Sequence, residues 1–185
     1  MRISLYFILS LFIFQSCSSG EEEKLVTVEN NFSLSLPKFL KEVDDLNAAA
    51  SLQYQSGIKE FYVLVLDESK DEVHAGINEN NLAEIYENNI EGYSKLIVEN
   101  FQQGLAEPDF SETIDTIING LPAKLTSVKG IVEDIEIFYS LGVYEGEENY
   151  FQVLTWTLES RKDKYKSKMK KILCSMKDLK KGEAI

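Results

Sequence analysis

The sequence predicts one α+β domain in which an antiparallel β-sheet packs against amphipathic helices. Three observations support this. Apolar and polar residues alternate along several segments, as in half-buried strands. The dipeptide Asn119-Gly120, typical of a two-residue hairpin turn, joins two of these segments. Two other segments repeat apolar residues at helical spacing. We therefore expect about six strands flanked by helices, in an α/β/α-type sandwich.

The first part of the domain is predicted to form two hairpins. Their strands are expected at residues 25–28, 32–36, 51–55 and 59–66. Asn30-Asn31 suits the first turn because asparagine tolerates a positive φ, and Ser56-Gly57 suits the second. Every residue from 61 to 66 is apolar, which predicts a strand covered on both faces.

A helix is predicted next, from Asn81 to Gly104. Asn81 and Glu84 have the spacing of a capping box, and Gly104 and Pro108 are typical of a helix end. Apolar residues recur along it at steps of three or four, namely Leu82, Tyr86, Ile90, Tyr93, Ile97 and Phe101. The preceding segment, DESKDEVHAGINEN, is predicted to be a polar loop.

The second part is predicted to be a four-strand meander followed by a helix. The strands are expected at residues 110–118, 121–129, 135–144 and 150–158. In the third strand, alternate residues from Ile135 to Val143 are apolar and should share one face. Trp156 and the nearby tyrosines are interpreted as core and cross-strand packing. Ser160 and Asp163 would cap the last helix, whose apolar stripe is Tyr165, Met169, Ile172 and Met176.

The N-terminus resembles a bacterial lipoprotein signal. Arg2 precedes a twelve-residue apolar run broken only by two serines, and Ser16 is the small residue before Cys17. The run is too short to cross a bilayer, which takes about 20 residues. The resemblance implies a signal peptide at 1–16 that is removed, acylation of Cys17 and attachment to a membrane through acyl chains. Residues 17–23 would be an acidic tether, and 24–180 the single domain.

This resemblance implies a location in the cell envelope. Serine at position 18 resembles outer-membrane sorting, and the acidic tether resembles signals for surface display, although a plain hydrophilic spacer explains it equally well. Without residues 1–16 the chain keeps 18 basic and 31 acidic residues, a net charge of −13. Such a charge opposes binding to nucleic acid. The charge is uneven, because residues 161–181 alone carry +8.

The order of elements resembles the PsbP-like fold, shared by the photosystem subunit PsbP, the Ran-binding Mog proteins and small bacterial lipoproteins. The similarity lies in FSLSLP (32–37), INGLPAKLTSV (118–128) and YFQVLTWTLES (150–160). It covers nearly all of the domain and implies a non-enzymatic scaffold that binds or assembles with a larger complex. A fold by itself does not determine function.

No residue pattern predicts catalysis or a cofactor. His74 is the only histidine and is interpreted as a solvated loop residue, because a catalytic imidazole needs placed partners. Asp67, Glu68, Asp71 and Glu72 could hold a cation such as Ca²⁺ but lack the spacing of a calcium loop. Cys174 is interpreted as a helix residue without chemistry. We expect no enzymatic activity, no cofactor and no metal.

Two main functions remain from the sequence. The first is a binding or assembly module that recognises a protein partner, with Lys164, Lys168 and Lys171 on the last helix as the first candidates for its surface. Lysines that merely face solvent would show the same pattern. The second is a carrier that holds a small ligand between helix and sheet, which an apolar cavity would favour. An enzyme with a site not evident from sequence is a third alternative.

Overall fold

The computed structural model describes residues 22–180, which form eleven strands and three α-helices. The strands are β1 (Glu23–Val28), β2 (Phe32–Pro37), β3 (Lys41–Glu42), β4 (Leu52–Ser56), β5 (Phe61–Ser69), β6 (Ala106–Phe110), β7 (Ile114–Ile118), β8 (Leu121–Val132), β9 (Ile135–Glu145), β10 (Asn149–Leu158) and β11 (Lys177–Asp178). The helices are α1 (Lys70–Glu79), α2 (Ile90–Gly104) and α3 (Lys162–Cys174).

An eight-stranded antiparallel sheet lies at the centre. Seven of its strands follow the order β3-β4-β5-β10-β9-β8-β6. The eighth, β7, pairs with the same edge of β8 as β6 does, but with a different part of it. A second sheet of order β1-β2-β11 packs with α3 on one face of the large sheet, while α1 and α2 lie on the other. The predicted α+β layering is therefore confirmed, but the expected count of six strands is too low.

The strand count differs because short and divided strands leave little trace in sequence. Residues 110–118, predicted as one strand, instead belong to β6 and β7, separated at 111–113. β8 is long enough to pair with both. The backbone N–H of Ser111 donates to Ser127 O at 2.8 Å, which holds the break against β8.

The meander has the predicted pairing. Asn119 and Gly120 have φ angles of 50° and 83°, so the hairpin takes the left-handed conformation that this dipeptide favours. Ile118 and Leu121 pair directly across it. Within residues 61–66 of β5, Val63 and Val65 are buried on the α3 face and Leu64 is buried on the opposite side. Tyr62 and Leu66 on that opposite side are only partly buried, so the expected cover on both faces is incomplete.

The N-terminal end of the predicted first helix is wrong in two ways. The supposed polar loop contains α1, and α2 begins at Ile90 rather than near Asn81. Asn81 has a φ of 57°, which does not suit the extended backbone of an N-cap. Asn89 is the N-cap instead, and its Oδ1 accepts from Gly92 N at 3.0 Å.

The α3 face contains a continuous core. The predicted stripe of Tyr165, Met169, Ile172 and Met176 is fully buried there, as expected. Phe61 packs edge-on against Tyr165, with ring centroids 5.1 Å apart. The helix begins later than its predicted caps imply, because residues Glu159–Arg161 form a 3₁₀ turn and no side chain caps α3.

Candidate ligand cleft

A cleft of about 750 Å³ lies between α1, α2 and the large sheet. Leu66 of β5 and Tyr139 of β9 line its sheet side. The helices contribute a further apolar wall, made by Val73, Ile77, Leu96, Ile97 and Phe101. Most of the lining is therefore apolar, and the cleft opens to solvent between the helices and the sheet.

Simple periodicities explain how these side chains meet. Along β5, alternate residues point to one face, so Leu66 and Glu68 lie on the side of α1 and α2. Gln152 of β10 pairs directly with Leu66 of the neighbouring strand β5. On α2, Tyr93, Ile97 and Phe101 recur every fourth residue and face the same sheet.

A polar corner closes one end of the cleft. Glu68 Oε2 accepts a short hydrogen bond from the Tyr93 hydroxyl and a second from Gln152 Nε2, at 2.8 Å. Gln152 Nε2 also donates to the Tyr93 hydroxyl oxygen at 2.8 Å. Tyr93 and Gln152 are buried, while Glu68 remains exposed to the cleft. One carboxylate is thus held in a defined position beside an apolar surface.

Two tyrosines support this corner from behind. Tyr93 and Tyr150 stack with ring centroids 4.3 Å apart, and His74 Nε2 lies 3.0 Å from the Tyr150 hydroxyl. Burial raises the pKa of Tyr93 strongly, and the adjacent Glu68 raises it further. Burial also raises the pKa of Tyr150 to about 12, with Glu145 and Glu91 adding to the effect. Both phenols therefore remain neutral hydrogen-bonding groups at neutral pH.

An aromatic row continues from the cleft across the sheet. Phe101 packs edge-on against Tyr139, Tyr139 lies beside Trp156, and Trp156 stacks on Tyr62 at 5.0 Å. Trp156 pairs directly with Tyr62 and with Tyr139 in the sheet. The prediction of cross-strand packing is confirmed for these rings, although they remain partly exposed.

His74 is not a loop residue, and that interpretation was wrong. It lies in the middle of α1, where it meets Tyr150. The polar composition of 67–80 concealed this helix, but Ser69 before Asp71 and Glu72 is a helix-start pattern that would have indicated it. The His74 ring packs edge-on against that of Tyr150, with centroids 5.8 Å apart.

The four acidic residues considered for a cation are divided between different parts of the fold. Asp67 accepts from Asn31 Nδ2 at 2.7 Å, whereas Glu68 points to the opposite face of β5 and binds Tyr93. Asp71 and Glu72 lie in the first turn of α1. Among residues 22–180, no three His, Cys, Asp or Glu side chains come together as a metal site. Cys174 is exposed at the end of α3.

The lysines predicted to bind a partner lie along one flank of α3. Lys164 and Lys171 are exposed, whereas Lys168 is half-buried with its ammonium 5.3 Å from the Phe39 ring centroid. The other flank, which the prediction did not include, borders β7. There a concavity of about 330 Å³ is lined by Lys170 together with Ile114 and Ile117. These two isoleucines are 58% and 74% exposed.

Residues 1–21, with Cys17 and the predicted signal, lie outside the part of the chain that the structure describes. Within residues 22–180, no helix combines the length and apolar character needed to span a membrane. β1 begins at Glu23, and Glu22 before it forms an ion pair with Lys38 at 2.8 Å.

Comparison with known proteins gives structural relatives only. No family model and no curated protein matches the sequence. The cyanobacterial PsbP (CyanoP) from Synechocystis sp. PCC 6803 superposes with a TM-score of 0.56 at 13% identity, covering 89% of this chain and 98% of its own. LpqN, a Mycobacterium tuberculosis protein involved in cell envelope biogenesis, gives 0.53 at 8% identity, covering 85% and 90%. At such identities the fold alone is shared, and the predicted PsbP-like fold is confirmed.

Proposed function

We propose that this PsbP-like protein is a non-catalytic module of the cell envelope that holds a small, largely apolar molecule in the cleft between α1, α2 and the sheet. Of the two main functions expected from the sequence, the geometry supports the carrier better than the protein-docking module. The location rests on the N-terminal signal, with Cys17 as the lipidated residue and the outer membrane as the favoured destination. LpqN, a structural relative, is involved in cell envelope biogenesis.

The single observation that carries this proposal is the cleft. Ligand sites in proteins usually measure about 300–1,000 Å³ and combine an apolar lining with a few placed polar groups. The cleft has about 750 Å³, an apolar wall that includes Leu66 and Phe101, and one polar corner at Glu68. No nucleophile with an oriented base lies among its described lining residues, so the arrangement supports binding better than chemistry.

The test is binding of a neutral apolar fluorophore, N-phenyl-1-naphthylamine, to the domain without its signal. We expect saturable fluorescence enhancement. Leu96→Trp should reduce it strongly, because Leu96 lines the cleft and is half-buried, so a larger ring can occupy the cavity. Ile58→Trp is the matched control, since Ile58 is 94% exposed away from the cleft. Equal binding by both variants and the wild type would overturn the proposal.

The anchor is tested separately. Cys17→Ala should move the protein from the membrane to the soluble fraction, since stable attachment depends on the acyl chains. Mass spectrometry of the N-terminal peptide should show acylation beginning at residue 17. A wild-type N-terminal peptide without the mass of acyl chains would contradict the lipoprotein proposal while leaving the cleft untouched.

A protein partner is the second candidate function, and the concavity beside β7 favours it. β7 pairs only with β8 among the described strands, so its other edge can accept an added strand. Exposed Ile114 and Ile117 offer apolar contacts to such a strand, and Lys170 lines the same concavity. Because α3 is strongly basic, an acidic extended segment is the partner that fits this surface.

Site-specific photo-crosslinking from position 117 tests this candidate, with position 58 as the control. The expected product maps to an acidic, extended stretch of one partner protein. Lys166→Glu/Lys170→Glu should abolish the crosslink. Lys164→Glu/Lys171→Glu is the control, which changes the charge equally on the other flank of α3 and should leave the crosslink in place. Loss with the second pair alone would instead support the lysines predicted from sequence, Lys164, Lys168 and Lys171.

A further inference from the structure

We propose that the cleft selects a molecule with a positively charged, hydrogen-bond-donating head, an amphipathic primary amine, and rejects anionic amphiphiles such as fatty acids. The inference rests on the proposed function and adds the head-group chemistry to it. The amine would bind Glu68, and the apolar body would lie along the wall formed by Ile77, Leu96 and Phe101.

Counting hydrogen bonds at the polar corner leads to this conclusion. The Tyr93 hydroxyl has one hydrogen, and Glu68 Oε2 accepts it. Gln152 Nε2 lies 2.8 Å from both Glu68 Oε2 and the Tyr93 oxygen; because these two oxygens are hydrogen-bonded to each other, they lie in nearly the same direction from Nε2 and share one amide hydrogen. Glu68 Oε1 remains for a ligand, and a carboxylate oxygen can only accept a hydrogen bond.

The orientation of Gln152 follows from the same contacts. Rotating its amide by half a turn would place Oε1 against the Glu68 carboxylate, so two acceptors would face each other at hydrogen-bonding distance. The amide nitrogen must therefore face Glu68. Both hydrogen bonds that the structure gives Glu68 end on Oε2, and among the described residues none ends on Oε1. One carboxylate oxygen thus remains available to a donor from the cleft.

The charges point to the same class of ligand. Glu68 is the only charged residue among the described residues that line the cleft. Lys70, the one lysine of α1, is paired with Glu145 at 2.8 Å and so does not neutralise Glu68. An ammonium head satisfies a carboxylate with a charge-assisted hydrogen bond, whereas a carboxylate or phosphate head would meet an uncompensated like charge.

The rest of the cleft sets the polarity of the ligand body. Leu66, Val73 and Ile97 offer no hydrogen bonds, so a polar body would lose its hydration without replacement. Asn100 also lines the cleft, but it lies seven residues from Tyr93, about 10 Å along α2. A head group at Glu68 is therefore too far away for Asn100 to supply donors to it.

The experiment is competition against bound N-phenyl-1-naphthylamine by three twelve-carbon molecules: dodecylamine, dodecanol and dodecanoate. All are used below their micellar concentrations, at pH 7 and physiological salt. We expect dodecylamine to compete about tenfold better than dodecanol, the factor of one hydrogen bond to a charged group. Dodecanoate should compete worst of the three.

Glu68→Gln separates the corner from the general acidity of the protein. Glutamine keeps an acceptor for Tyr93 and Gln152, so the cleft should persist, but the preference for dodecylamine over dodecanol should disappear. Glu72→Gln is the control, because it removes the same charge from an exposed position of α1 outside the cleft. An equal loss of preference in both variants would show attraction to the acidic surface and overturn the inference.

The two proposals fail in different ways. If the fluorophore does not bind the wild type, the carrier function itself is wrong. If it binds, but dodecanol or dodecanoate competes as well as dodecylamine, only the head-group inference is wrong. Retention of the preference in Glu68→Gln would also overturn the inference, because the amine would then be recognised elsewhere.

Discussion

The two faces of the large sheet are covered to different extents. On one face, α3 and the β1-β2-β11 sheet bury a continuous cluster that runs from Phe32 to Met176. On the other, α1 and α2 bury a smaller cluster around Tyr93 and Tyr150. Beyond that cluster the sheet stays partly open, and the cleft lies there. The same strands thus build a stabilising core on one side and an accessible apolar surface on the other.

The treatment of polar groups differs in the same way. On the α3 face, the Tyr144 hydroxyl donates to Leu173 O at 2.8 Å and is fully enclosed. On the cleft face, the Tyr93 hydroxyl donates to Glu68, whose carboxylate is exposed. A polar group that is satisfied internally stabilises the fold, whereas one that ends on an exposed carboxylate can also meet a ligand. The contrast separates the stabilising face from the binding face.

The largest expected effect is at Phe61, on the stabilising face. Phe61→Ala removes a fully buried ring between Tyr165 and Phe39 and should lower the free energy of unfolding by about 3–5 kcal/mol. Tyr62→Ala, one residue along β5, affects a partly exposed ring on the other face and should cost roughly half as much. Urea unfolding measures both. Equal losses would contradict the difference between the faces.

Two glycines sharpen the comparison. A Cβ at Gly142 would come within 2.3 Å of the buried Tyr144 hydroxyl, so Gly142→Ala should destabilise by about 1–3 kcal/mol. Gly76 lies in α1 on the cleft and has no atom within 4 Å of such a Cβ. Gly76→Ala should therefore stabilise by about 0.5–1 kcal/mol, the gain of helix propensity. Thermal melting curves should move in opposite directions, and a shared direction would refute the assignment of the faces.

Tyr150 should show a smaller and pH-dependent effect. Tyr150→Phe removes the contact with His74 and should cost about 0.5–1.5 kcal/mol at pH 7. The pKa of Tyr150 is raised from 10.0 to about 12, so the folded state retains its proton where the unfolded state loses it. Its stabilisation is complete below pH 10 and is lost as the pH rises towards 12.

Urea unfolding of the wild type and of Tyr150→Phe at pH 8 and pH 11 measures the pH-dependent contribution of Tyr150 to stability. The stability difference between the two proteins should narrow at pH 11, because only the wild type loses the contribution of Tyr150. Tyr93→Phe is a useful second variant, since burial also raises the pKa of Tyr93, together with its hydrogen bond to Glu68. A difference that stays constant with pH would contradict the raised pKa of Tyr150.

The smallest effect is expected at an ion pair that belongs to neither the core nor the cleft. Lys129 and Glu136 form an ion pair at 3.3 Å, with both side chains more than one third exposed. Lys129→Ala should change stability by at most about 1 kcal/mol, because water and salt screen such pairs. The same urea assay applies. A loss of unfolding free energy as large as that of Phe61→Ala would show that the burial of a side chain does not determine how much its replacement destabilises the protein.

Several elements could be predicted because local patterns determine them. Asn119-Gly120 specifies its hairpin through the positive φ angles that both residues adopt. The stripe of α3 was predicted because helical spacing and burial coincide in Tyr165, Met169 and Ile172. The start of α2 was not, because Asn81 and Asn89 both resemble N-caps. The packing of residues 82–89 against the start of α2 decides between them. This packing is very close at Gly92, where a Cβ would come within 2.0 Å of Glu87 O.

The candidate site was harder to predict than the fold. A cavity between helix and sheet was considered as an alternative, but its polar corner joins Glu68, Tyr93 and Gln152, which are far apart in sequence. The predicted end of β5 at residue 66 excluded Glu68 from the strand because charged residues follow. In the structure β5 continues to Ser69, and alternation then places Glu68 beside the cleft.

The sequence by itself determined the α+β class, the hairpin at Asn119-Gly120 and the uneven charge, because propensity, periodicity and composition are local properties. Only the tertiary structure decided that β6 and β7 share β8 and that one sheet face remains open. These features depend on contacts between distant residues, such as Tyr93 with Glu68. Their energies compete with local preference and become defined only when the layers pack.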